Sequence, residues 1–364
     1  MKKWIALSMV AVMALSLWAC GKDDGSKGTA PTEGPKVQAM LFTEMVMTEK
    51  NSEGGKDAMK GLVEYDENYN IIGTKTYLNG KLNYEVTYDH DMDRPLSQKS
   101  YNQDGQLSDT TEYTYDEKGN CLERTTTYYG GATLTSKTVS TYDADGNKLT
   151  MKAYENGTLN YEVRYTYNAD GKLAKEVHIE DGVEAYWTEK TYDDHGNIVM
   201  DHTDGMLSGS KDTYENIYDG DKLVEVKIYD YGTLYRHIKY DSDGNEILSI
   251  GYDSETGEEW SRTESTYEKG NLVKKMEYTD GKLQSSTTYS YNAKGELTAH
   301  ILKITGQKTQ GRLYAYDKDG CLSGIKAYLG DEVISEYTLS YKSVTVSEEV
   351  AQRIEELNAT LAPF

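Results

Sequence analysis

The sequence predicts an all-β protein, an antiparallel array of β-hairpin repeats. We expect about two dozen strands, arranged as an extended, twisted or spiralling sheet with a short C-terminal helix. Three observations predict it. A tyrosine-rich turn returns every 22 to 27 residues, a second glycine turn divides each period, and the chain contains 33 Tyr against 2 Phe. A repeat of this length is typical of arrays in which each unit packs on its neighbours.

The N-terminal segment is typical of exported bacterial proteins. Lys2 and Lys3 precede an apolar stretch that is too short to span a bilayer as a stable helix. The stretch ends in "LWAC", which resembles the lipobox of bacterial lipoproteins. That resemblance implies a signal peptide at 1–19, cleavage before Cys20 and a diacylglycerol on its sulfur; an ordinary signal with an incidental cysteine is the alternative. We therefore expect a lipid-anchored protein of the cell envelope that faces outside the cytoplasm.

Composition limits the partners of the chain. Residues 20–36 are rich in Gly, Ser, Thr, Pro and charge, and they predict a flexible tether that carries the lipidated cysteine. Loss of Lys2 and Lys3 with the signal leaves 37 basic and 61 acidic residues, a net charge of −24. Such a charge argues against nucleic-acid binding and against attraction to anionic lipid surfaces. The membrane contact is therefore expected through the lipid alone.

The repeats are predicted to fill residues 37–346, and a tyrosine opens the main turn of each unit. These registering tyrosines are Tyr65, Tyr88, Tyr115, Tyr142, Tyr167, Tyr192, Tyr218, Tyr240, Tyr267, Tyr291, Tyr316 and Tyr341. The Asp-x-x-Gly that follows most of them suits a type I turn ending in a left-handed glycine. The repeat-defining residues of the clearest copies are Tyr115, Asp116, Gly119, Tyr142, Asp143, Gly146, Tyr167, Gly171, Tyr240, Asp241, Gly244, Tyr316, Asp317 and Gly320.

The second turn of each period carries Asn-Gly or Asp-Gly in its clearest copies. These copies read "YLNGKL" from Tyr77, "YENGTL" from Tyr154 and "YTDGKL" from Tyr278. Both dipeptides favour positive φ and close tight hairpins. Two turns per period therefore predict two strands per period, each about eight residues long.

Alternate positions before the registering tyrosines differ in chemistry. Even offsets carry aromatic or aliphatic residues such as Tyr113 and Val163, whereas odd offsets carry polar residues such as Thr114 and Glu112. Successive side chains of a strand point to opposite faces. The sheet is therefore predicted to have a tyrosine face, formed by the even offsets, and a Thr/Glu face, formed by the odd offsets.

The main turns resemble a known repeat family. "YTYDEKGNCL", "YTYNADGKL" and "YAYDKDGCL" resemble the YD repeats of the RHS family, and the resemblance covers residues 65–341. It implies an exported protein with spiralling β-sheets, linked to adhesion, carbohydrate binding or a shell around a toxin. The chain departs from the family in carrying Asn, Lys or Glu where Arg often follows the glycine. The shorter turn "YENGTL" is similar to MORN-variant repeats, a second resemblance.

Residues 347–364 predict a capping helix. Ser347 is suited to the N-cap, and two glutamates in the first turn favour the helix dipole. The apolar face comprises Val350, Ile354, Leu357 and Leu361. We expect this helix to shield the exposed edge of the last strands, and we expect the segment from Val37 to form the opening strand.

Catalytic and metal-binding motifs are weak in this sequence. "DADG", "DSDG" and "DKDG" echo part of a calcium loop but lack its further ligands and closing glutamate. Turn chemistry explains them, although calcium binding by the turn aspartates stays open. His178, His195 and His202 lack metal-ligand spacing, and no nucleophile motif is present. The chain is predicted to be non-catalytic, with no metal and no cofactor.

Trp187 and Trp260 are the only tryptophans after the signal, and they depart from the repeat pattern. They lie five residues before Tyr192 and seven before Tyr267, both odd offsets. The pattern therefore predicts both on the Thr/Glu face, about 25 to 30 Å apart across roughly six strands. Exposed aromatic rings at this spacing suit an extended ligand. The alternative is that the sheet curls and this face packs locally.

Two function classes follow from these features. One is a surface lipoprotein whose β-repeat scaffold binds an extracellular glycan or protein. The other is a structural or assembly component of the envelope without a soluble ligand. The sequence names neither the ligand nor the oligomeric state.

Overall fold

The computed structural model describes residues 36–51, 54–91, 94–205 and 209–361. The predicted signal peptide, Cys20 and the tether up to residue 35 lie outside these ranges. Twenty-four strands and one helix occupy the described ranges.

The strands follow one another along the chain with short connections. They are β1 (Lys36–Lys50), β2 (Lys56–Tyr65), β3 (Ile71–Leu78), β4 (Lys81–Asp91), β5 (Arg94–Tyr101), β6 (Leu107–Tyr115), β7 (Cys121–Tyr128), β8 (Leu134–Tyr142), β9 (Lys148–Glu155), β10 (Thr158–Tyr167), β11 (Leu173–Glu180), β12 (Val183–Tyr192), β13 (Ile198–Gly205), β14 (Ser210–Asp219), β15 (Lys222–Asp230), β16 (Thr233–Tyr240), β17 (Glu246–Tyr252), β18 (Glu259–Glu268), β19 (Asn271–Thr279), β20 (Lys282–Tyr291), β21 (Leu297–Ile304), β22 (Gln310–Tyr316), β23 (Leu322–Leu329) and β24 (Glu332–Ser347). The helix is α1 (Glu348–Leu361).

All of these strands belong to one 24-stranded sheet, and pairing between consecutive strands is antiparallel. Strand β1 also pairs with β24, from Lys36 opposite Ser347 to Glu49 opposite Ser335. The predicted all-β antiparallel hairpin array with a C-terminal helix is thus confirmed. The predicted extended, twisted or spiralling form is wrong, because the first and last strands pair and close the sheet. This pairing satisfies the backbone groups that two open edges would leave free.

The short turns explain why the second half of each period carries glycine. Asn79 and Gly80 have φ of 50° and 79°, and Asp280 and Gly281 have φ of 49° and 70°. Two successive residues with positive φ form the hairpin turn whose twist matches that of the flanking strands. The Asn-Gly and Asp-Gly dipeptides therefore close these hairpins as their chemistry predicts.

The described residues group into two compact units. The first contains the described residues up to Asn160, together with Ala315–Ile325 and the described residues from Ser335 onward. Its main cluster joins α1 to the two paired terminal strands through Ala39, Leu41, Val344, Val346, Ala351 and Ile354. This cluster packs the helix onto both terminal strands through aliphatic side chains.

The second unit contains Tyr161–Tyr314 and Lys326–Ile334. Its buried cluster is small, comprising Val226, Ile228 and Ile238, with Tyr214, Leu223, Tyr235 and Tyr240 packed around it. Most hydrophobic burial in this unit is therefore partial and involves tyrosine rings. Such a layer relies on cross-strand pairs and hydrogen bonds more than on a deep aliphatic core.

The two faces of the sheet differ in burial as their chemistry predicts. On the tyrosine face Thr111 is 2% exposed and Val163 is fully buried, whereas Thr114 and Thr166 on the Thr/Glu face are exposed. Small hydroxyl residues are also buried on the tyrosine face. Thr111 and Thr126 are buried with their hydroxyls 2.9 Å apart.

Helix α1 packs on the paired terminal strands. The Ser347 hydroxyl accepts a hydrogen bond from the Val350 amide at 3.4 Å, so Ser347 caps the helix as predicted. Ile354 is only 1% exposed. The expectation that the helix shields an open edge is wrong, because β1 already covers the edge of β24. The helix instead covers apolar side chains of both strands.

Candidate binding surface

The Asp-x-x-Gly turns form through their own side chains. In the clearest copy Asp116 accepts hydrogen bonds from the Lys118 and Asn120 amides at 2.9 and 2.8 Å and from the Asn120 side chain at 2.8 Å. Gly119 closes the turn with φ of 92°. The turn carboxylate therefore lies folded onto its own backbone, which is the role of an aspartate in such a turn.

The same turn recurs at the other repeat-defining positions. In each copy, the backbone amide of the residue after the tyrosine donates to the carbonyl four residues further along the chain. The donor residues are Asp143, Asn168, Asp241 and Asp317. Hydrogen bonds from the side chain and backbone of Asn245 lower the pKa of Asp241. Gly146, Gly171, Gly244 and Gly320 all have positive φ. Within the described residues, no group of three or more His, Cys, Asp and Glu is placed to hold a metal ion.

The registering tyrosines link successive repeats through their hydroxyl groups. Tyr142 donates to the Cys121 carbonyl at 2.9 Å, and Tyr192 donates to the Leu173 carbonyl at 2.8 Å. Equivalent bonds join Tyr115 to Pro95 at 2.9 Å and Tyr291 to Leu272 at 2.8 Å. Each bond reaches the strand that follows the preceding main turn. Phenylalanine cannot make this bond, which explains the strong preference for tyrosine at these positions.

Cations tie neighbouring main turns together. The Lys172 ammonium donates to the Gly196 carbonyl at 2.6 Å and lies 5.2 Å from the centroid of the Tyr192 ring. The Lys222 ammonium reaches the Ser242 carbonyl at 2.8 Å. These lysines bridge from one turn to the turn of the next repeat. The residues that define the repeat therefore hold the sheet together, and a ligand site has to be sought where the repeats differ.

One main turn departs from the others in its hydrogen bonds. The Tyr218 hydroxyl donates to the Asp193 carboxylate at 2.6 Å, and the Asn216 amide donates both to Asp193 at 2.9 Å and to the Ile198 carbonyl at 3.0 Å. Desolvation alone would raise the pKa of Asp193, but hydrogen bonds from Tyr218 and the Asn197 backbone lower it to about 2. The signal in the sequence is Asn216, which occupies an offset where four other repeats carry tyrosine.

Trp187 lies on the Thr/Glu face, as predicted. It pairs with Val177 on β11 and with Asp204 on β13. The Lys175 ammonium lies 4.8 Å from the centroid of its ring, and the His202 ring packs edge-on at 4.8 Å. The ring is thus half-buried between a cation and an imidazole, each contributed by a neighbouring strand.

Trp260 lies on the tyrosine face, so the prediction that it lies on the Thr/Glu face was wrong. Gly251 pairs with Ser261 and Tyr252 pairs with Glu259, so Trp260 is the extra residue of a β-bulge. A Cβ atom built on Gly251 would lie 3.0 Å from the Trp260 indole nitrogen and would also meet the Ser261 hydroxyl. The indole therefore lies on the same face as the Ser261 side chain. Ser261 has an even offset. The bulge therefore moves the indole, which is 51% exposed, to the tyrosine face.

The two tryptophans consequently do not form a pair of platforms on one face. They remain six strands apart in the order of the sheet, on β12 and β18, but they point to opposite sides. The physical reason is the bulge, since one inserted residue reverses the alternation of side chains.

The three histidines that lie close together in the sequence do not converge. The His178 ring stacks on Tyr186 at 4.0 Å and its Nε2 lies 2.5 Å from Glu176. The His195 ring stacks on Tyr218 at 4.0 Å, beside a main turn. His202 packs against Trp187 on the Thr/Glu face. Each ring therefore has its own aromatic neighbour.

A row of apolar side chains crosses the Thr/Glu face near the short turns of the second unit. We call Tyr229, Leu234, Tyr252, Tyr278 and Leu283 the Tyr–Leu row. Tyr229 pairs with Leu234 across one short turn, and Tyr278 pairs with Leu283 across another. The members are half-buried, except that Leu283 is 44% exposed.

Hydrogen bonds fix the face on which this row lies. The Tyr229 hydroxyl donates to Glu215 at 2.8 Å, and the Tyr278 hydroxyl lies 3.5 Å from Glu264. Both glutamates are three residues before a registering tyrosine and so belong to the Thr/Glu face. Tyr229 lies opposite Thr213 and Tyr278 lies opposite Arg262, both at odd offsets. The bulge at each hairpin brings Leu234 and Leu283 to the same face. The available signal in the sequence was the motif Tyr-x-x-Gly-x-Leu at both hairpins, which predicts the turn but not the row.

Charged side chains lie beside the row and pair both within β18 and between β14 and β15. Arg262 donates to Glu259 at 2.7 Å and to Glu264 at 3.3 Å, and Lys227 lies 3.4 Å from Glu215. The hydrogen bond to Glu215 raises the pKa of the Tyr229 hydroxyl. The arrangement offers ring faces beside hydrogen-bond donors and acceptors, which suits a ligand that has both apolar and hydroxyl surface.

Comparisons with known proteins give distant similarities. No family model and no curated protein matches the chain. The chain is similar to part of the TcdB2–TccC3–Cdc42 structure, with 14% identity, a TM-score of 0.29, and coverage of 84% of this chain and 24% of that chain. It is similar to a Tc holotoxin pore of Photorhabdus luminescens, with 13% identity, a TM-score of 0.28, and coverage of 85% and 24%.

A third similar structure is a porin-like protein from Bacteroides uniformis, with 11% identity, a TM-score of 0.20, and coverage of 83% of this chain and 98% of that one. The chain spans about a quarter of the length of the first two structures. None of the three similarities is close enough to assign a function. Within the described ranges, no helix has the length and apolar character needed to cross a membrane.

Proposed function

We propose that this chain is a non-catalytic bacterial lipoprotein, anchored in the cell envelope through Cys20, whose β-repeat sheet binds an extracellular glycan or protein. The observation that carries the proposal is the set of half-exposed aromatic side chains outside the registering tyrosine positions. Trp260 is 51% exposed, and the Tyr–Leu row lies on the charged face. Exposed aromatic and aliphatic residues in contiguous patches are typical of binding surfaces.

The sequence supports the location part of the proposal. A charged start, a short apolar stretch and "LWAC" precede a Gly- and Ser-containing tether. The YD-type main turns support membership in the RHS family and the export from the cytoplasm that this resemblance implies. A net charge of −22 for the whole chain favours neutral or basic ligands over nucleic acid and anionic polymers.

The alternative is a structural or assembly component of the envelope without a soluble ligand. The closed strand order favours it, because a sheet without free terminal edges could serve as a spacer or scaffold. A screen of the purified full chain against glycans and envelope proteins separates the two functions. A saturable ligand supports the binding function, whereas a single envelope protein recovered by crosslinking in cells, with no soluble ligand, supports the structural function.

The anchor is tested by the Cys20→Ala variant. The thioether to the lipid requires the sulfur, so the variant should leave the detergent phase and appear in the aqueous phase or the medium. The parent chain and a Cys121→Ala variant, which keeps the anchor, serve as controls. Retention of the Cys20→Ala variant in the detergent phase would show that the chain is not held by a lipid on this residue.

A further inference from the structure

We propose that the Tyr–Leu row binds an uncharged, extended, β-linked polysaccharide that runs across the strands of the second unit. This inference rests on the proposed binding function and names its ligand class and its site. It places the ligand on the Thr/Glu face between β15 and β20, where Tyr229, Tyr252 and Tyr278 stand on alternate strands.

The spacing of the tyrosines is the first argument. Neighbouring strands of a sheet are about 4.8 Å apart, which is close to the length of one pyranose in an extended β-linked chain. Tyr229, Tyr252 and Tyr278 lie on β15, β17 and β19, so a ring recurs every second strand, about 10 Å along the row. Every second sugar of such a polymer would therefore meet a tyrosine ring.

The chemistry of the row is the second argument. A pyranose in a β-linked chain has an apolar face of C–H groups and a rim of hydroxyls. Tyrosine rings and Leu234 and Leu283 offer apolar contact for the face. Glu259 and Arg262, which pair at 2.7 Å beside Tyr252, offer an acceptor and a donor for the rim. A purely aliphatic ligand would leave these charged groups without solvent.

Charge and topology exclude the main competing ligands. The chain carries 61 acidic and 39 basic residues, so an anionic polymer would be repelled. A peptide strand often binds by adding to the open edge of a sheet. Here β1 pairs with β24, and the sheet offers a peptide no terminal edge. These two arguments favour an uncharged ligand that is recognised by side chains on the face of the sheet.

The test uses the purified full chain and uncharged gluco-oligosaccharides about six sugars long, one for each strand from β15 to β20. The β-1,4-linked oligomer is compared with its α-1,4-linked isomer by calorimetry. The variants are Tyr252→Thr and Tyr278→Thr, because threonine keeps a high strand propensity and is common on this face. The matched control is Tyr231→Asn, which removes a tyrosine that is 64% exposed at the tip of a nearby short turn, where φ is 45°.

The inference predicts that the β-linked oligomer binds, that the α-linked isomer binds at least tenfold more weakly, and that each Thr variant loses at least tenfold in affinity. Tyr231→Asn should bind as the parent does. Absence of β-oligomer binding, or equal binding by the parent and the Thr variants at unchanged melting temperature, would overturn the inference. If another glycan or a protein binds the parent and the Thr variants alike, the proposed function stands and this site assignment fails. If no glycan and no protein binds, both fail.

Should a Thr variant unfold, Tyr252→Phe keeps the proposal testable. Phenylalanine retains the stacking surface, so affinity for the β-linked oligomer should fall less than threefold. A loss of tenfold or more in a folded Tyr252→Phe protein would contradict ring stacking as the source of binding.

Discussion

A registering tyrosine contributes its ring and its hydroxyl to different parts of the fold. The ring of Tyr142 packs on the tyrosine face, while its hydroxyl bonds to the Cys121 carbonyl of the preceding unit at 2.9 Å. The hydroxyl therefore acts between repeats and the ring acts within the sheet layer. This division explains a composition of 33 Tyr and 2 Phe better than exposure alone.

Tyr142→Phe tests the hydroxyl bond directly. The variant keeps the ring and leaves the Cys121 carbonyl without this donor, so we expect the free energy of unfolding to fall by about 1 kcal/mol. The measurement is urea unfolding followed by circular dichroism. Tyr231→Phe, at a turn tip that is 64% exposed, is the matched control and should change stability little. Equal effects of the two variants would show that the hydroxyl bond contributes nothing specific.

Burial of tyrosines also predicts a stability limit at high pH. Burial raises the pKa of Tyr165 and Tyr341 to about 12, from an ordinary value of 10.0. Because the folded state favours the neutral hydroxyl, this contribution is fully present below pH 10 and is lost as pH rises through 12. We expect the urea concentration at the unfolding midpoint to decrease as the pH rises from 10 to 12.

Tyr165→Phe separates this effect from the titration of lysines in the same range. The variant should lose less stability between pH 10 and pH 12 than the parent does. An identical pH profile for the variant would contradict a role for the buried Tyr165 hydroxyl in the alkaline transition.

The positions of the turns could be predicted from the sequence because each depends on residues within five positions of one another. Asp116, Gly119 and Asn120 make their turn locally, and Asn79 and Gly80 close theirs in the same way. The side on which Trp260 points could not be predicted, because it depends on a bulge opposite Gly251. A single extra residue reverses the side chain, and periodicity alone does not locate it.

At the scale of elements, bulges and short turns set the chemistry of each face. Tyr229 and Tyr278 lie opposite Thr213 and Arg262 of the Thr/Glu face, whereas Tyr128 lies opposite Asp109, which has an even offset. The register shifts at the first two hairpins place Leu234 and Leu283 beside these tyrosines. The same motif therefore yields different surfaces in different repeats.

Helix α1 also compensates for a bulge. The pairing of β1 with β24 shifts between Phe42 and Glu44. The Asn358 side chain accepts a hydrogen bond from the Phe42 amide at 3.0 Å and donates one to the Met40 carbonyl. The helix thus supplies the partners that the irregular strand pairing leaves unmet.

Asn358→Ala tests this contact. The variant leaves the Phe42 amide and the Met40 carbonyl without these bonds, and we expect a loss of about 1 to 3 kcal/mol in the free energy of unfolding. Gln352→Ala, on the exposed side of the same helix, is the control and should have little effect, because its side chain bonds to Glu356 on the helix surface at 3.1 Å. A thermal melt in which both variants match the parent would argue against a role of Asn358 in closing the sheet.

At the scale of the whole molecule, the decisive feature is that the strand order closes. The repeats predict a meander, but a meander is compatible with open, spiralled or closed forms. Closure depends on the register between β1 and β24, whose partners lie about 300 residues apart in the chain. No local pattern encodes that register. The long apolar segment from Val37 predicted an opening strand, but it did not reveal the strand that it joins.

Closure also determines how the chain can bind. With β1 paired to β24, recognition rests on side chains of the two faces and not on strand addition. The registering tyrosines, turn aspartates and bridging lysines maintain the sheet. The half-exposed rings outside the registering positions carry the proposed binding function.

The most direct measurement is a disulfide across the pairing of β1 with β24. Val46 lies opposite Thr338 in this register, and opposite residues of antiparallel strands have Cβ atoms about 4.5 to 5.5 Å apart, near the separation that a disulfide needs. We would combine Val46→Cys with Thr338→Cys in a chain whose Cys121 and Cys321 are replaced by serine. The control combines Val46→Cys with Ser340→Cys, two residues out of register. The closed sheet predicts an intramolecular disulfide in the first protein under mild oxidation, detected by mass spectrometry of its peptides, and little in the second. Two free thiols in both proteins, or bonds between molecules only, would contradict closure.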